Sequence, residues 1–152
     1  MKVTEIMNTN PRTCTYSDTA QQAATLMKQH GTGFLPVVNE HGKVVGVVTD
    51  RDLCLRVTAE GHFPLHMRVH ECMTANPVCC FATESIRNAL ALMANNQIRR
   101  IPVINDERRP IGIVAMRDFI ARDAISARDI YLVLRKIMSS KERVAALRAR
   151  IA

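Results

Sequence analysis

Residues 3–53 and 69–119 carry one pattern twice, displaced by 66 positions with no gap. Sixteen of the 51 paired positions are identical: Val3, Glu5, Met7, Asn10, Pro11, Cys14, Ala23, Leu26, Met27, Pro36, Val37, Asn39, Gly46, Val48, Arg51 and Asp52 each recur 66 residues later. Other pairs exchange like for like, as Thr19 with Ser85, Val38 with Ile104 and Val47 with Ile113. One supersecondary unit has been duplicated, which predicts two halves related by a pseudo-twofold axis. A unit of about 50 residues buries too little surface to stand alone, so the copies are expected to share a core. Clefts at their common boundary are then the expected ligand sites.

Each copy reads in the same order. A short lead-in helix is predicted at 3–7 and 69–73, closed by Asn10-Pro11 and Asn76-Pro77, because proline pushes the preceding residue out of the helical region. An extended stretch follows at 12–15 and 78–81. The next helix has apolar positions Ala20, Ala23, Ala24 and Met27, matched by Ile86, Ala89, Leu90 and Met93, at helical spacing. Ser17 or Asp18 is expected to cap the first of these, and Thr83 or Glu84 to begin the second. Two apolar runs joined by a turn then predict a hairpin, at 34–38 and 44–49 and again at 101–104 and 111–114. Helices are predicted over 50–60 and 116–125. The plan is β-α-β-β-α, twice: a mixed α/β (α+β) fold with repeats at 1–60 and 68–125, a linker at 61–67 and a tail at 126–152.

The tail interleaves Ile130, Leu132, Val133, Leu134, Ile137, Met138, Val144, Leu147 and Ile151 with basic residues, which predicts one or two amphipathic helices broken near Ser139 and Ser140. Residues 121–152 hold eight Lys/Arg against three Asp/Glu, so most of the chain's net charge of +7 lies there. The tail's charge is modest and a single aromatic, Tyr131, is too few for interleaved base stacking, so nucleic acid is not an expected partner. Packing on the repeats or on a second copy is preferred, and a protein partner docking through the tail is the alternative.

The segments Phe34-Leu35-Pro36-Val37-Val38 and Gly46-Val47-Val48-Thr49-Asp50-Arg51-Asp52 resemble the signature of the cystathionine-β-synthase (CBS) domain. The second copy offers Ile98-Arg99-Arg100-Ile101-Pro102-Val103 and Gly112-Ile113-Val114-Ala115-Met116-Arg117-Asp118. The resemblance runs from about residue 3 to 120 and includes order, spacing and duplication. It implies a tandem CBS pair, or Bateman module, whose two inter-repeat clefts bind AMP, ADP, ATP or S-adenosylmethionine as regulatory ligands. It also implies a homodimer and a sensing role, with no cofactor required.

The residues themselves are suited to such a ligand. Asp52 can accept two hydrogen bonds from a ribose diol, and Asp118 stands at the matching position. Thr49, at a strand-to-helix junction, offers a hydroxyl and free helix N–H groups to phosphate. Pro36, Val37 and Cys14 are candidates to line an adenine slot. Ala115 replaces Thr49 in the second copy, while Arg99 and Arg100 stand where the first has Gly33 and Phe34. Guanidinium groups there suit a phosphate. The two clefts are therefore expected to differ. A structural reading stands beside each of these: Thr49 or Asp50 as a helix cap, Asp52 as a first-turn acid, the arginines as a solvated edge.

Two other functions compete. His62, His66 and His70 are spaced by four with Cys72 nearby, a donor set able to hold zinc, although Pro64 breaks any helix that would align them. With the five cysteines they define a metal- or redox-responsive protein on the same scaffold. The other is a structural adaptor with vestigial clefts and a docking tail. No nucleophile–base signature, phosphate loop or dinucleotide fingerprint is present, so an enzyme is not expected. With no apparent export signal, no membrane-length apolar run and an odd cysteine count, a cytoplasmic protein with reduced thiols is expected. No residues remain for an attached enzyme or transporter, so a stand-alone chain is expected.

Overall fold

A computed structural model describes residues 1–122 and 124–139. The chain runs through a 3₁₀ turn at Val3–Glu5, β1 (Cys14–Thr15), α1 (Ala20–His30), β2 (Phe34–Val38), β3 (Val44–Thr49) and α2 (Asp50–Asp52), which continues as a π-helical turn over Leu53–Thr58. The second passage comprises α3 (Val69–Cys72), β4 (Thr74–Ala75), β5 (Cys80–Phe81), α4 (Ile86–Asn96), β6 (Arg100–Ile104), β7 (Pro110–Ala115) and α5 (Met116–Ala121). The helix α6 (Ala127–Met138) follows. Two sheets result, β1-β2-β3-β4 and β5-β6-β7, with the first strand parallel to the second and the hairpin antiparallel in each.

The hairpins turn alike because Asn39 and Asn105 do the same work. Asn39 Oδ1 accepts from the backbone of His41 and Lys43 at 3.0 and 2.9 Å; Asn105 Oδ1 accepts from Glu107 and Arg109 at 3.1 and 2.9 Å. The helix caps differ from those expected. Thr19 caps α1, its Oγ1 accepting from Gln22 N at 3.1 Å, and Ser85 caps α4 through Asn88 N at 3.2 Å. Asp18 and Glu84 instead accept from Thr15 N and Phe81 N, fixing the preceding turns. Along α1, Ala20, Ala23 and Met27 are buried but Ala24 faces solvent.

The two lead-in segments change sides. Val3 and Ile6 are buried in the core of the second sheet, among Ile101, Val114 and Phe119. Val69 and Cys72 belong to the core of the first, with Leu35, Val48 and Val57. The backbone follows the same exchange: β4 pairs antiparallel with β3, and Asn8 pairs with Ile113 of β7. The close approach explains the repeated glycines, since a Cβ on Gly46 would strike the Met73 thioether and one on Gly112 that of Met7. The two-residue strand β4 and this crossing lie outside what the sequence predicts.

The tail helix packs through Ile130, Val133, Leu134 and Ile137 against the second core, and Lys136 Nζ donates to Asn95 Oδ1 of α4 at 2.6 Å. Tyr131, Leu132 and Met138 remain exposed. The predicted helix over 50–60 is thus a short α-helix followed by a π turn, and that over 116–125 stops at Ala121. The expectations for residues 140–152 fall outside the described residues. No described helix is long and apolar enough to cross a membrane.

Candidate functional site

A cleft of about 480 Å³ opens between the two halves. One wall is the β3-to-α2 junction, Thr49 to Asp52, with Phe34 and Val47 beneath it. The opposite wall is the stretch before β6, Asn96 to Arg100, with Pro102. The floor is the crossing segment after β4, through Asn76, Pro77 and Val78. Two cleft residues, Asn76 and Gln97, hold positive φ angles of 49° and 55° without being glycine. Such backbone is uncommon for other residues and concentrates at functional sites. Gln97 occupies the left-handed C-cap position of α4 that Gly31 fills in α1.

Thr49 and Asp52 form a capping box. Thr49 Oγ1 accepts from Asp52 N at 3.1 Å and donates to Asp52 Oδ2 at 2.8 Å, while Thr49 N donates to the same oxygen at 2.9 Å. The hydroxyl proton is thus engaged by the carboxylate, so Thr49 orients Asp52 rather than offering that proton to a phosphate. Oδ2 already holds two bonds, which leaves Oδ1 as the less committed oxygen. Among the described residues its nearest cation is Arg56, with Nε at 3.6 Å.

Arg99 and Arg100 reach the same cleft from the other half, and both are exposed. Among the described residues neither has a carboxylate within 4.0 Å. With Arg51 they outnumber the cleft acids Asp50 and Asp52, so the site favours an anion. Backbone amides, apolar walls and uncommitted guanidinium groups together suit a ligand with a flat apolar part and a phosphate.

The remaining candidates lie elsewhere. Asp118 is not part of this cleft; its Oδ2 accepts from Ala115 N at 2.7 Å and its Oδ1 lies 3.8 Å from Arg117 Nε. With Ala115 in place of Thr49, it lacks the hydroxyl bond that holds Asp52. Cys14 and Val37 point into the first core, 3% and 0% exposed, and Pro36 is buried without lining the cleft. Its counterpart Pro102 does line it. The sequence missed Asn76, Val78 and Gln97, which only the crossing segment and the αL cap bring to the cleft.

The metal candidates do not converge. His62 Nε2 lies 3.5 Å from Glu60, His66 leans on the Phe63 ring, and His70 Nδ1 meets the Tyr16 carbonyl at 3.1 Å. Cys72 is buried, and among the described residues no three His, Cys, Asp or Glu side chains gather as a metal site.

Burial pushes the Cys14 and Cys80 thiols up to about 12, and raises those of Cys72 and Cys79 as well. Protonated thiols are poor nucleophiles. In the native protein a thiol reagent is therefore expected to label exposed Cys54 first, and Cys14 and Cys80 only after unfolding. The pH dependence has a defined sign. Below the ordinary value of 9.0 both folded and unfolded thiols are protonated; between 9.0 and about 12 only the unfolded chain loses protons. Stability is expected to fall across that window, and urea unfolding as a function of pH measures it.

Comparison with known proteins agrees with this architecture. The family model described as CBS domain matches residues 3–58 and again 69–124. The CBS domain-containing protein YhcV of Bacillus subtilis is 42% identical over 116 residues, covering 76% of this chain and 81% of that one. The crystal structure of Hypoxic Response Protein I with two coordinated zinc ions superposes with a TM-score of 0.73 at 32% identity, covering 80% of this chain and 98% of that one. The CBS domain pair of protein MJ0100, in complex with 5′-methylthioadenosine and S-adenosyl-L-methionine, superposes with a TM-score of 0.73 at 27% identity, covering 82% and 96%. Duplication, topology and these matches lead to one conclusion: the chain belongs to the CBS domain family, as a tandem pair.

Proposed function

We propose that the chain is a regulatory sensor that binds a phosphate-bearing adenosine nucleotide (AMP, ADP or ATP) in the cleft between its repeats. The observation that carries this reading is the meeting of Asp52 from one half with Arg99 and Arg100 from the other across one cleft. Asp52 Oδ1 accepts a ribose hydroxyl, the two guanidinium groups take the phosphates, and Phe34, Val47, Ile98 and Pro102 supply apolar contact for the base. The adenosyl ligands of the MJ0100 pair support the choice of nucleoside. The surplus of positive charge supports a phosphate over the sulfonium of S-adenosylmethionine.

Calorimetric titration with AMP, ADP, ATP and S-adenosylmethionine tests it. Affinity is expected to rise with phosphate count and to fall with added salt. Asp52→Ala is expected to weaken binding by about 10- to 100-fold, the scale of a hydrogen bond to a charged group. Replacing Arg99 and Arg100 by Ala is expected to remove most of the difference between ATP and AMP. Failure of all four ligands to bind, or undiminished binding by Asp52→Ala, overturns the reading.

A further inference from the structure

Arg56 is exposed and does not line the cleft. Its guanidinium faces two ways. Nε lies 3.6 Å from Asp52 Oδ1, the carboxylate oxygen that Thr49 leaves unbonded. Nη1 donates to the carbonyl oxygens of Cys72 and Met73 at 3.0 and 2.8 Å. Those carbonyls end α3, where a cation is favoured, and lead directly into β4 and the cleft floor at Asn76 to Val78. One side chain therefore joins the acid of the first half to the segment that crosses from the second.

The second half supplies a natural comparison. Arg122 stands 66 residues after Arg56, four residues after Asp118 as Arg56 is after Asp52. There α5 ends at Ala121 and Arg122 takes a non-helical backbone, φ −105° and ψ 4°. In the first half the π turn carries the chain on to Thr58, which keeps Arg56 on the side of Asp52. Such turns often mark functional positions in helices. Among the described residues Arg122 makes no bond corresponding to those of Arg56.

We propose that Arg56 is a positioning residue that couples the Asp52 carboxylate to the crossing segment, so that a change at the acid is felt in the pairing of β4 with β3. A hydroxyl taken up by Oδ1 competes with Arg56 for the same charge, and the guanidinium then shifts its weight toward the two carbonyls. The bearing of this coupling on ligand response rests on the reading of the cleft proposed above. The coupling itself does not need a ligand.

It is tested on the full chain without ligand, by NMR amide exchange at Asn76, whose N–H donates to Val45 O at 3.1 Å, with Asn8, which donates to Ile113 O at 2.9 Å, as internal reference. Arg56→Ala is expected to speed exchange at Asn76 about ten-fold, the scale of charge-assisted hydrogen bonds, and to leave Asn8 unchanged. Asp52→Asn is expected to alter the Asn76 rate, and the double variant to match Arg56→Ala alone, because the effect of the acid passes through Arg56. Arg56→Lys is expected to restore part of the protection, and Arg122→Ala to leave Asn76 at the wild-type rate. Unchanged exchange in Arg56→Ala, equal acceleration at Asn8 and Asn76, or effects of Asp52→Asn and Arg56→Ala that multiply would each overturn the proposal. Ligand titration plays no part in this readout, so a cleft that binds no nucleotide defeats the earlier reading alone.

Discussion

Removal of residues 1–8 will unfold the C-terminal half first, although these residues precede the N-terminal repeat in sequence. Val3 and Ile6 are 0% and 4% exposed within the core that holds Ile101, Val114 and Phe119. Val3 N donates to Glu84 O at 3.0 Å, and Asn8 exchanges two backbone bonds with Ile113 at 2.9 and 3.0 Å. Burial of two aliphatic side chains contributes about 1.5–3 kcal/mol each, and each backbone bond about 0.5–1.5 kcal/mol. The sum approaches the total stability of many domains, ~5–15 kcal/mol. Urea unfolding of the truncated chain with residue-resolved amide exchange measures it. Amides of β6 and β7 are expected to lose protection before those of β2 and β3; the opposite order would contradict the exchanged arrangement.

Phe119→Ala is expected to cost about 3–5 kcal/mol, the range for emptying a buried aromatic site. The ring is fully buried and is the largest such side chain among the described residues. Its partner in the repeat alignment, Leu53, behaves differently because it is half-buried. The π turn over Leu53–Thr58 changes which residue faces inward, and Val57, 1% exposed, provides the buried apolar group of that segment. Leu53→Ala is therefore expected to cost less than about 2 kcal/mol. Denaturant midpoints of the two variants decide the matter, and equal losses would mean the halves are packed more alike than described.

Much of this architecture was legible from the chain. The 66-residue displacement announced two equivalent units, apolar runs joined by a turn placed the hairpins, and a period-3.6 pattern placed the long helices. Thr49, Asp52, Arg99 and Arg100 were singled out by the family resemblance together with their residue type, and they do meet in one cleft. What escaped has physical causes. A strand as short as Thr74–Ala75 carries no periodicity, and nothing local announces that it pairs with the other repeat. Hydroxyls and acids near a helix start compete for the cap, so Ser17 or Asp18 and Thr83 or Glu84 were expected there; Asp18 and Glu84 bond the preceding turns instead, and Thr19 and Ser85 take the caps. Pro36, Val37 and Cys14 misled because equivalent residues of the two copies need not line the same cleft, as Pro102 and Pro36 show. The bonded state of the Thr49 hydroxyl depends on a rotamer that composition does not encode.

The exchange of lead-in segments bears on how such a chain is made. A ribosome that has released the chain only as far as residue 60 has delivered a sheet still lacking Val69 and Cys72, and a segment holding Val3 and Ile6 with nothing yet to settle on. Neither unit is complete until the other has emerged, so maturation must wait for nearly the whole of residues 1–122. The same interdependence makes a single ancestral unit incomplete by itself, and fusion of two copies into one polypeptide would have secured for each the neighbour it required.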